Sequence, residues 1–323
     1  METHDAIDQP LLDALAPKAE QLAQRHLDTR KAWLPHEFVP WSLAQDYDPE
    51  YQWQPTDFEM PQEVRSALYV NLLTEDNLPF YVRDLDEFAG KEGIWRHWTG
   101  IWTAEEGRHS YSMRTFIEAT RALDPVNLEH ARESQVIGQQ VPTVASTADG
   151  LVYVSLQELA TRVAHLNTAK RLQTAGELAK IPEHKLAAIA GYTCLKRIAA
   201  DENFHYLFYR DIVNEGLAVD PSKMMLAAYR QVRDFDMPGL GIPNFSEHSR
   251  RIAAAGIYGV EQFYYDVAEP VLLKHWKLNT TSGLTPQAAE AQEALMIRLG
   301  KYKKIADRIK GRFAKSALID ADA

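Results

Sequence analysis

The sequence predicts an all-α protein whose core is a four-helix bundle, and three observations support this fold class. Glutamate precedes histidine by three residues at two places, Glu106–His109 and Glu202–His205. Residues three apart share one face of a helix, so each pair can present a carboxylate and an imidazole to the same metal ion. Apolar residues recur at helical spacing along most of the chain, and no segment alternates in the manner of a β-strand.

Nine helices are predicted along the chain. The first is expected to have Pro17 in its first turn, where proline is tolerated, and to end near residue 29. The Trp- and Pro-rich residues 31–60 are predicted to form an ordered loop that wraps the bundle. The remaining helices are predicted at about 62–87, 91–123, 126–138, 151–176, 184–215, 221–235, 246–275 and 285–314.

The chain is predicted to form a single domain, because no Gly-, Pro- or Ser-rich linker divides its 323 residues. We assign 1–60 to an N-terminal helix and loop, 61–215 to the metal-binding bundle, 216–315 to additional helices and 316–323 to a frayed tail. Pro79 is expected to bend the second helix, because proline leaves the carbonyl of Glu75 without its usual amide donor.

Two further glutamates, Glu75 and Glu158, precede the two Glu-x-x-His pairs on predicted helices. This order is typical of bundles that hold two carboxylate-bridged metal ions. Four carboxylates would balance the charge of two divalent cations, as burial of such a cluster requires. Oxygen ligands with two imidazoles suit iron or manganese, so we predict two Fe²⁺ ions per chain, with manganese as the alternative.

Composition argues against several classes of protein. The net charge of −10 argues against nucleic-acid binding. No apolar run approaches the length of a membrane span, and the N-terminal METHDAIDQP lacks the basic and apolar regions of a signal peptide. The single cysteine, Cys194, cannot form an intrachain disulfide and suits a reducing compartment. These features predict a cytoplasmic protein without a transmembrane segment.

Four segments resemble the motif blocks of the soluble acyl-carrier-protein desaturases, which are fatty acid desaturases of the ferritin-like class. The segments are TEDNLPFY, WTAEEGRHS, LQELATRVAHLNTAKR and IAADENFHYLFYRD, and they are close to the actinobacterial branch. The resemblance covers roughly residues 20–275 and implies a ferritin-like fold. The iron ligands that it implies are Glu75, Glu106, His109, Glu158, Glu202 and His205. Glu106 and Glu202 would bridge both ions, Glu75 and His109 would complete one, and Glu158 and His205 the other.

The resemblance also implies partners for the two imidazoles. A metal-bound histidine usually donates its other N–H to a carboxylate. Here the arrangement would be crossed, with Asp201 supporting His109 and Glu105 supporting His205. Arg108 would neutralise these outer carboxylates.

Three further residues resemble family residues near the iron site. Trp33, together with Asp201, would form a path for electrons. Trp102 would lie close to the metal ions. Thr161 would direct its hydroxyl towards the side where oxygen binds. We therefore expect Thr161, Asp201 and Trp33 to take part in catalysis.

The activity implied by the resemblance is insertion of a cis double bond into a long-chain acyl group on acyl carrier protein. The reaction would use dioxygen and two electrons from ferredoxin or a similar donor, and the enzyme would be a homodimer. Apolar residues on the ligand-bearing helices are expected to line a tunnel for the acyl chain: Leu72, Leu73, Phe80, Leu156, Leu159 and Val163.

Docking of these acidic partners requires a local basic patch on an acidic protein. One candidate patch is C-terminal and consists of Arg298, Lys301, Lys303, Lys304, Arg308, Lys310, Arg312 and Lys315. A second consists of Arg25, Arg30 and Lys31.

Other functions are compatible with the same ligand pattern. A ribonucleotide reductase small subunit shares the ligand order, but none of the fourteen tyrosines lies in a block that resembles that family. Another ferritin-like di-iron oxidase, such as a simple ferroxidase, would lack the N-terminal loop and the basic C-terminal helix. A non-catalytic paralogue could bind acyl carrier protein or acyl chains without turnover. Iron content after reconstitution distinguishes this last alternative from an enzyme.

Overall fold

The computed structural model describes residues 7–142, 144–235, 237–239 and 241–321, with side chains as far as Gly311. These residues contain no β-strand, which confirms the all-α prediction. The helices are α1 (Gln9–Thr29), α2 (Gln62–Glu75), α3 (Leu78–Ala89), α4 (Gly93–Thr120), α5 (Pro125–Gly138), α6 (Thr147–Leu178), α7 (Pro182–Val219), α8 (Pro221–Arg233), α9 (Phe245–Ala254), α10 and α11 (Pro286–Ala321). Helix α10 starts with one turn at Val260–Gln262 and continues as a π-helix over Phe263–His275.

Helices α2, α4, α6 and α7 form the bundle that carries all six predicted ligands. Helices α6 and α7 approach closely at Gly176, which has no side chain. A Cβ atom added there would lie only 2.8 Å from the Cβ of Ala188. Helix α1 packs across α4 and α7, α9 packs on α2, and α8 packs on both α6 and α11. None of the helices in the described part of the chain combines the length and the apolar run that a membrane span requires.

The predicted continuous helix at 62–87 is wrong. Helix α2 ends at Glu75, and α3 begins at Leu78, which places Pro79 in the first turn of a new helix. The break has the same cause as the predicted bend, because Pro79 has no amide hydrogen to donate to the carbonyl of Glu75. Here the bend becomes a full break, and Glu75 occupies the last position of α2.

The predicted start of the first helix near Pro17 is also wrong. Helix α1 begins at Gln9, where the side chain of Asp8 accepts a hydrogen bond from the amide of Leu11 at 3.1 Å. Aspartate at this position satisfies an amide that the helix itself leaves free. Pro10 occupies the first turn, and Pro17 lies in the helix interior.

The predicted helix at 246–275 is divided between Ala254 and Val260. Gly256 has a φ of +67°, a left-handed conformation that glycine adopts without strain and that ends α9. At the other end of the chain, α11 continues beyond the predicted residue 314 to Ala321. The frayed tail at 316–323 stays a prediction, because side chains after Gly311 and residues 322–323 lie outside the described part.

Candidate metal centre

The six predicted ligands converge in the middle of the bundle and are at most 6% exposed. They form two groups, in each of which the ligand atoms lie within 4.8 Å of one another. One group is Glu75, Glu106, His109 and Glu202, and the other is Glu106, Glu158, Glu202 and His205. Glu106 and Glu202 belong to both groups, so they occupy the positions of bridging ligands.

Both histidines direct Nδ1 towards the carboxylates. His109 Nδ1 lies 3.3 Å from Glu106 Oε2 and 3.3 Å from Glu202 Oε1. His205 Nδ1 lies 2.9 Å from Glu106 Oε1 and 3.4 Å from Glu158 Oε2. The i, i+3 spacing on α4 and α7 produces this convergence, because it places each histidine one turn from a glutamate on the same helix face.

Several atoms of this cluster are buried and, although they lie close to one another, form no hydrogen bond with acceptable geometry in the described part of the chain. They are Glu106 Oε1, His109 Nδ1, Glu158 Oε2, both carboxylate oxygens of Glu202, and His205 Nδ1. Buried polar atoms nearly always have partners, and exceptions call for a functional explanation. Six such atoms directed at one small volume fit the binding of cations, which would satisfy all of them.

The electrostatics of the cluster lead to the same conclusion. Burial, together with the charges of Glu106 and Glu202, raises the pKa of Glu75 well above its ordinary value. Burial and the charge of Glu202 do the same to the pKa of Glu158. Burial also works to raise the pKa of Glu202, but contacts with His109 and His205 outweigh it and hold that pKa well below the ordinary range. Cations in the cluster would favour ionisation of all four carboxylates.

The outer nitrogens of the two histidines contact carboxylates in the predicted crossed arrangement. His109 Nε2 lies 3.4 Å from Asp201 Oδ2, and His205 Nε2 lies 2.8 Å from Glu105 Oε2. Arg108 lies between these carboxylates, 3.6 Å from Glu105 and 3.7 Å from Asp201. Such contacts fix the imidazole so that the opposite nitrogen can bind a metal ion.

The two predicted tryptophans donate hydrogen bonds to carboxylates of the centre. Trp33 Nε1 donates to Asp201 Oδ2 at 2.6 Å, and its ring is nearly parallel to that of His109, with centroids 6.4 Å apart. Trp102 Nε1 donates to Glu158 Oε1 at 2.9 Å. Loop residue Trp33 thus contacts the outer carboxylate and lies parallel to the imidazole that this carboxylate supports.

Two adjoining cavities of about 260 and about 50 Å³ flank the centre. Both are lined by Thr74, Glu75, Thr161 and Pro238. Thr161, which lines both cavities, accepts a hydrogen bond at its Oγ1 from Gln157 Nε2 at 2.8 Å. The walls are mainly apolar, and the larger cavity extends to Phe263 on α10 and Tyr302 on α11.

The predicted tunnel lining is wrong, because none of the six apolar residues proposed for it lines either cavity. Five of them are buried in the core packing, and Phe80 is half-buried on α3, under the guanidinium of Arg83. The six are Leu72, Leu73, Phe80, Leu156, Leu159 and Val163. The prediction considered which helices carry the ligands but not which face of each helix points to a cavity.

Two buried histidines near the centre were missed. His26 Nε2 lies 3.0 Å from Glu105 Oε2, and His165 Nε2 lies 3.0 Å from Glu75 Oε1. A signal exists for His165, because it follows Glu158 by seven residues and thus shares its helix face. For His26, the sequence shows only a histidine on the apolar face of α1, which does not identify its partner.

Both candidate docking patches stay predictions, and in each of them basic side chains have acidic partners within the chain. Arg25 pairs with Asp211 at 2.9 Å, and Arg30 points inward to Glu105. In the C-terminal patch, Lys303 pairs with Asp307 at 3.0 Å and remains about half exposed. The side chains of Arg312 and Lys315, also predicted there, lie outside the described residues.

Comparison with known proteins places this geometry in a family. The family model described as fatty acid desaturase matches residues 8–320. The chain belongs to the fatty acid desaturase family. A Mycobacterium tuberculosis protein named "Putative acyl-[acyl-carrier-protein] desaturase DesA1" is 32% identical over 98% of this chain and 91% of its own length.

Two further relatives agree with this assignment. The seed-specific chloroplastic stearoyl-[acyl-carrier-protein] 9-desaturase of Brassica napus is 28% identical over 96% of this chain and 78% of its own length. The solved structure of DesA2 from Mycobacterium tuberculosis superposes with a TM-score of 0.65 at 24% identity, covering 87% of this chain and 99% of that one. The structural likeness supports the ferritin-like fold expected from the sequence.

Proposed function

We propose that this protein is a di-iron acyl-[acyl-carrier-protein] desaturase that inserts a cis double bond into a long-chain acyl group. The observation that carries the proposal is the pair of four-ligand groups sharing Glu106 and Glu202, beside apolar cavities that reach Glu75 and Thr161. The names of the mycobacterial and plant relatives, which are acyl-[acyl-carrier-protein] desaturases, support the substrate class.

In this proposal, the iron ligands are Glu75, Glu106, His109, Glu158, Glu202 and His205. Two bound ferrous ions would supply the reductive activation of dioxygen that removes two hydrogen atoms from the chain. The protein must hold the substrate carbons beside this chemistry and exclude water. The apolar cavities beside Glu75 suit both tasks, and Thr161 lies where it can contact the reacting segment.

Electrons would enter through Trp33. This residue contacts Asp201 and stacks near His109, so it connects the N-terminal loop with a proposed ligand. Asp201 accepts from both Trp33 and Arg197, which keeps its charge fixed next to the imidazole. We propose ferredoxin or a similar protein as the donor.

The carrier protein would dock on the basic face of α11. Tyr302 on this helix lines the larger cavity, and Lys301, Lys303 and Lys304 are exposed beside it. Acidic acyl carrier protein bound there could feed its acyl chain into the cavity. A homodimer in the cytoplasm is also part of the proposal, and light scattering at micromolar concentration would test the dimer.

The decisive experiment is turnover by iron-loaded protein. The enzyme would be reconstituted with Fe²⁺ under anaerobic conditions, reduced, and given oxygen with a panel of long-chain acyl-carrier substrates. We expect a product lighter by two hydrogen atoms in mass spectrometry for at least one chain length. A protein that holds two iron ions but forms no such product from any substrate would be a non-catalytic paralogue.

A further inference from the structure

The end of α1 and the first residues of the loop contact both outer carboxylates of the centre. Trp33 donates to Asp201, the partner of His109, and His26 contacts Glu105, the partner of His205. One short stretch of chain, 26–33, therefore reaches the supports of both proposed histidine ligands. The role of Trp33 was expected from the sequence, whereas the contact of His26 was not.

His26 is embedded in this position. It is 3% exposed, and its ring meets that of Trp98 edge to face, with centroids 5.1 Å apart. Its Nε2 lies 3.0 Å from Glu105 Oε2, the same oxygen that His205 Nε2 approaches at 2.8 Å. An ionised carboxylate can only accept, so both imidazoles donate to that oxygen.

Arg30 completes the contact from the next turn of the chain. It caps α1, with its amide donating to the carbonyl of His26 at 2.9 Å, and its guanidinium binds the other oxygen of Glu105 at 2.5 Å. Both oxygens of Glu105 are thus held from α1. Because each is held, the carboxylate cannot rotate away from His205.

We propose that His26 is a positioning residue for the metal centre, acting through Glu105 to orient His205. This inference rests on the proposed function, since it requires His205 to be a metal ligand. Donation by His26 and Arg30 fixes Glu105, Glu105 fixes the proton of His205 on Nε2, and Nδ1 of His205 then faces Glu106 and Glu158. The effect is confined to one ion, because His109 is supported by Asp201, which His26 does not contact.

Anaerobic titration with Co²⁺, followed by visible absorption, tests the inference without relying on turnover. Wild type should bind two ions. His26→Phe keeps an aromatic ring against Trp98 but removes the donor to Glu105. It should lower the binding affinity for one of the two ions about tenfold, which is the lower end of the range for such supporting partners. His26→Gln retains an N–H that can reach Glu105 and should recover most of the affinity.

Arg25→Ala is the matched control. Arg25 neighbours His26 on α1 and pairs with Asp211 of α7, so its loss removes a contact between the same two helices without affecting Glu105. It should bind both ions like wild type. Equal weakening of both ions in His26→Phe and in Arg25→Ala would show that only the docking of α1 matters and would overturn the inference.

Combining His26→Phe with a ligand variant identifies the affected ion. In a Glu158→Ala background, the remaining ion should bind equally well with His26 or Phe at position 26. In a Glu75→Ala background, the remaining ion should bind about tenfold more weakly with Phe. The opposite pattern, or wild-type binding of both ions by His26→Phe, would overturn the inference while leaving the proposed function intact.

Two further outcomes are separable. Should His26→Phe fail to fold, as judged by circular dichroism, His26→Asn replaces it, because its amide is too short to reach Glu105. A wild-type chain that binds fewer than two ions would overturn the proposed function, and this inference with it.

Discussion

The two halves of the metal centre have matching ligands but different surroundings. In the Glu75–His109 half, Glu75 lines both cavities, and its Oε1 lies 3.0 Å from His165 Nε2. In the Glu158–His205 half, Glu158 is held by Trp102. Among the described residues that line the two cavities, neither Glu158 nor His205 appears.

The two outer carboxylates also differ in the residues that hold them. Asp201, behind His109, is held by Trp33 and Arg197. Glu105, behind His205, is held by His26 and Arg30 from α1. The repeated Glu and Glu-x-x-His pattern therefore produces a nearly symmetric ligand set, while the elements packed around it open one half to a cavity and seal the other.

Under the proposed function, substrate and oxygen would approach from the Glu75 side. Thr161 lines the two cavities on that side and is 7% exposed. Glu158 and His205 would hold an ion away from the cavities, whereas Glu75 would hold one where a substrate in the cavities can reach it. The predictions below test whether the two halves behave differently.

Removal of a shared ligand should have the largest effect. Glu202→Ala takes a ligand from both groups and leaves Glu106 as the one carboxylate that the two groups share, so we expect both ions to be lost. Glu158→Ala takes a ligand from one group and should leave about half of the bound iron. Elemental analysis after anaerobic loading measures both. Full iron content in Glu202→Ala would contradict the ligand assignment.

The hydrogen bonds to the two unshared glutamates should have the next largest effect. Trp102→Phe removes the donor to Glu158, and His165→Phe removes the contact to Glu75. Each variant should lower the binding affinity for a different ion by about tenfold, as expected for partners of metal ligands. Because His165 lines the larger cavity and Trp102 lines the smaller one, His165→Phe should raise the KM for acyl substrate more than Trp102→Phe does. Identical metal and substrate effects in the two variants would mean that the halves do not differ.

The sequence located the two Glu-x-x-His pairs of candidate ligands because their geometry is local. Glu106 and His109 meet through the helical repeat alone, and the same holds for Glu202 and His205. The partners His26 and Glu105 are 79 residues apart, and His165 and Glu75 are 90 apart, so only the tertiary fold brings them together.

The lining of the cavities was missed for a similar reason. Leu72, Leu73 and Leu156 are apolar residues on the correct helices, but they face the packed core and are fully buried. Apolar character cannot distinguish a core face from a cavity face. The break at Pro79 followed from local chemistry, yet its severity depended on the turn that Asp76 and Asn77 form.

Metal removal should make stability depend on pH. Burial and neighbouring carboxylates raise the pKa of Glu75 and of Glu158, so the folded metal-free chain holds protons that the unfolded chain has lost. Stability is then present at low pH and is lost as pH rises through the folded pKa. The pKa of Glu106 and that of Glu202 are lowered, so these two groups contribute stability that is lost as the pH falls. That loss occurs only at pH values below the ordinary pKa of a glutamate.

We therefore expect the thermal unfolding midpoint of chelator-treated protein to decrease as the pH is raised from 5 to 8. The midpoint of metal-loaded protein should change little over the same range. A pKa difference of one between folded and unfolded chain corresponds to about 1.4 kcal/mol. Glu75→Gln and Glu158→Gln should each remove part of the decline, which measures the contribution of each half. A metal-free protein that gains stability across this range would contradict the assignment.

The smallest effect is expected at the surface, where charge reversal on α11 tests whether the open half faces the docking site. Tyr302 lines the larger cavity, and Lys303 and Lys304 follow it on the exposed face of the helix. Lys303→Glu with Lys304→Glu should weaken binding of acidic acyl carrier protein by a few-fold at low salt. The loss should diminish with added salt, because exposed charges are screened beyond about 10 Å at 0.1 M.

Lys180→Glu with Lys185→Glu is the control, because it makes the same charge change near the turn between α6 and α7. Iron content should be unchanged in both double variants, since neither alters a contact of the metal cluster. Titration of carrier protein by fluorescence anisotropy at two salt concentrations separates local from global charge effects. Equal weakening in the two variants would show that net charge alone governs the encounter, and docking would then have no preference for the side on which Glu75 borders the cavities.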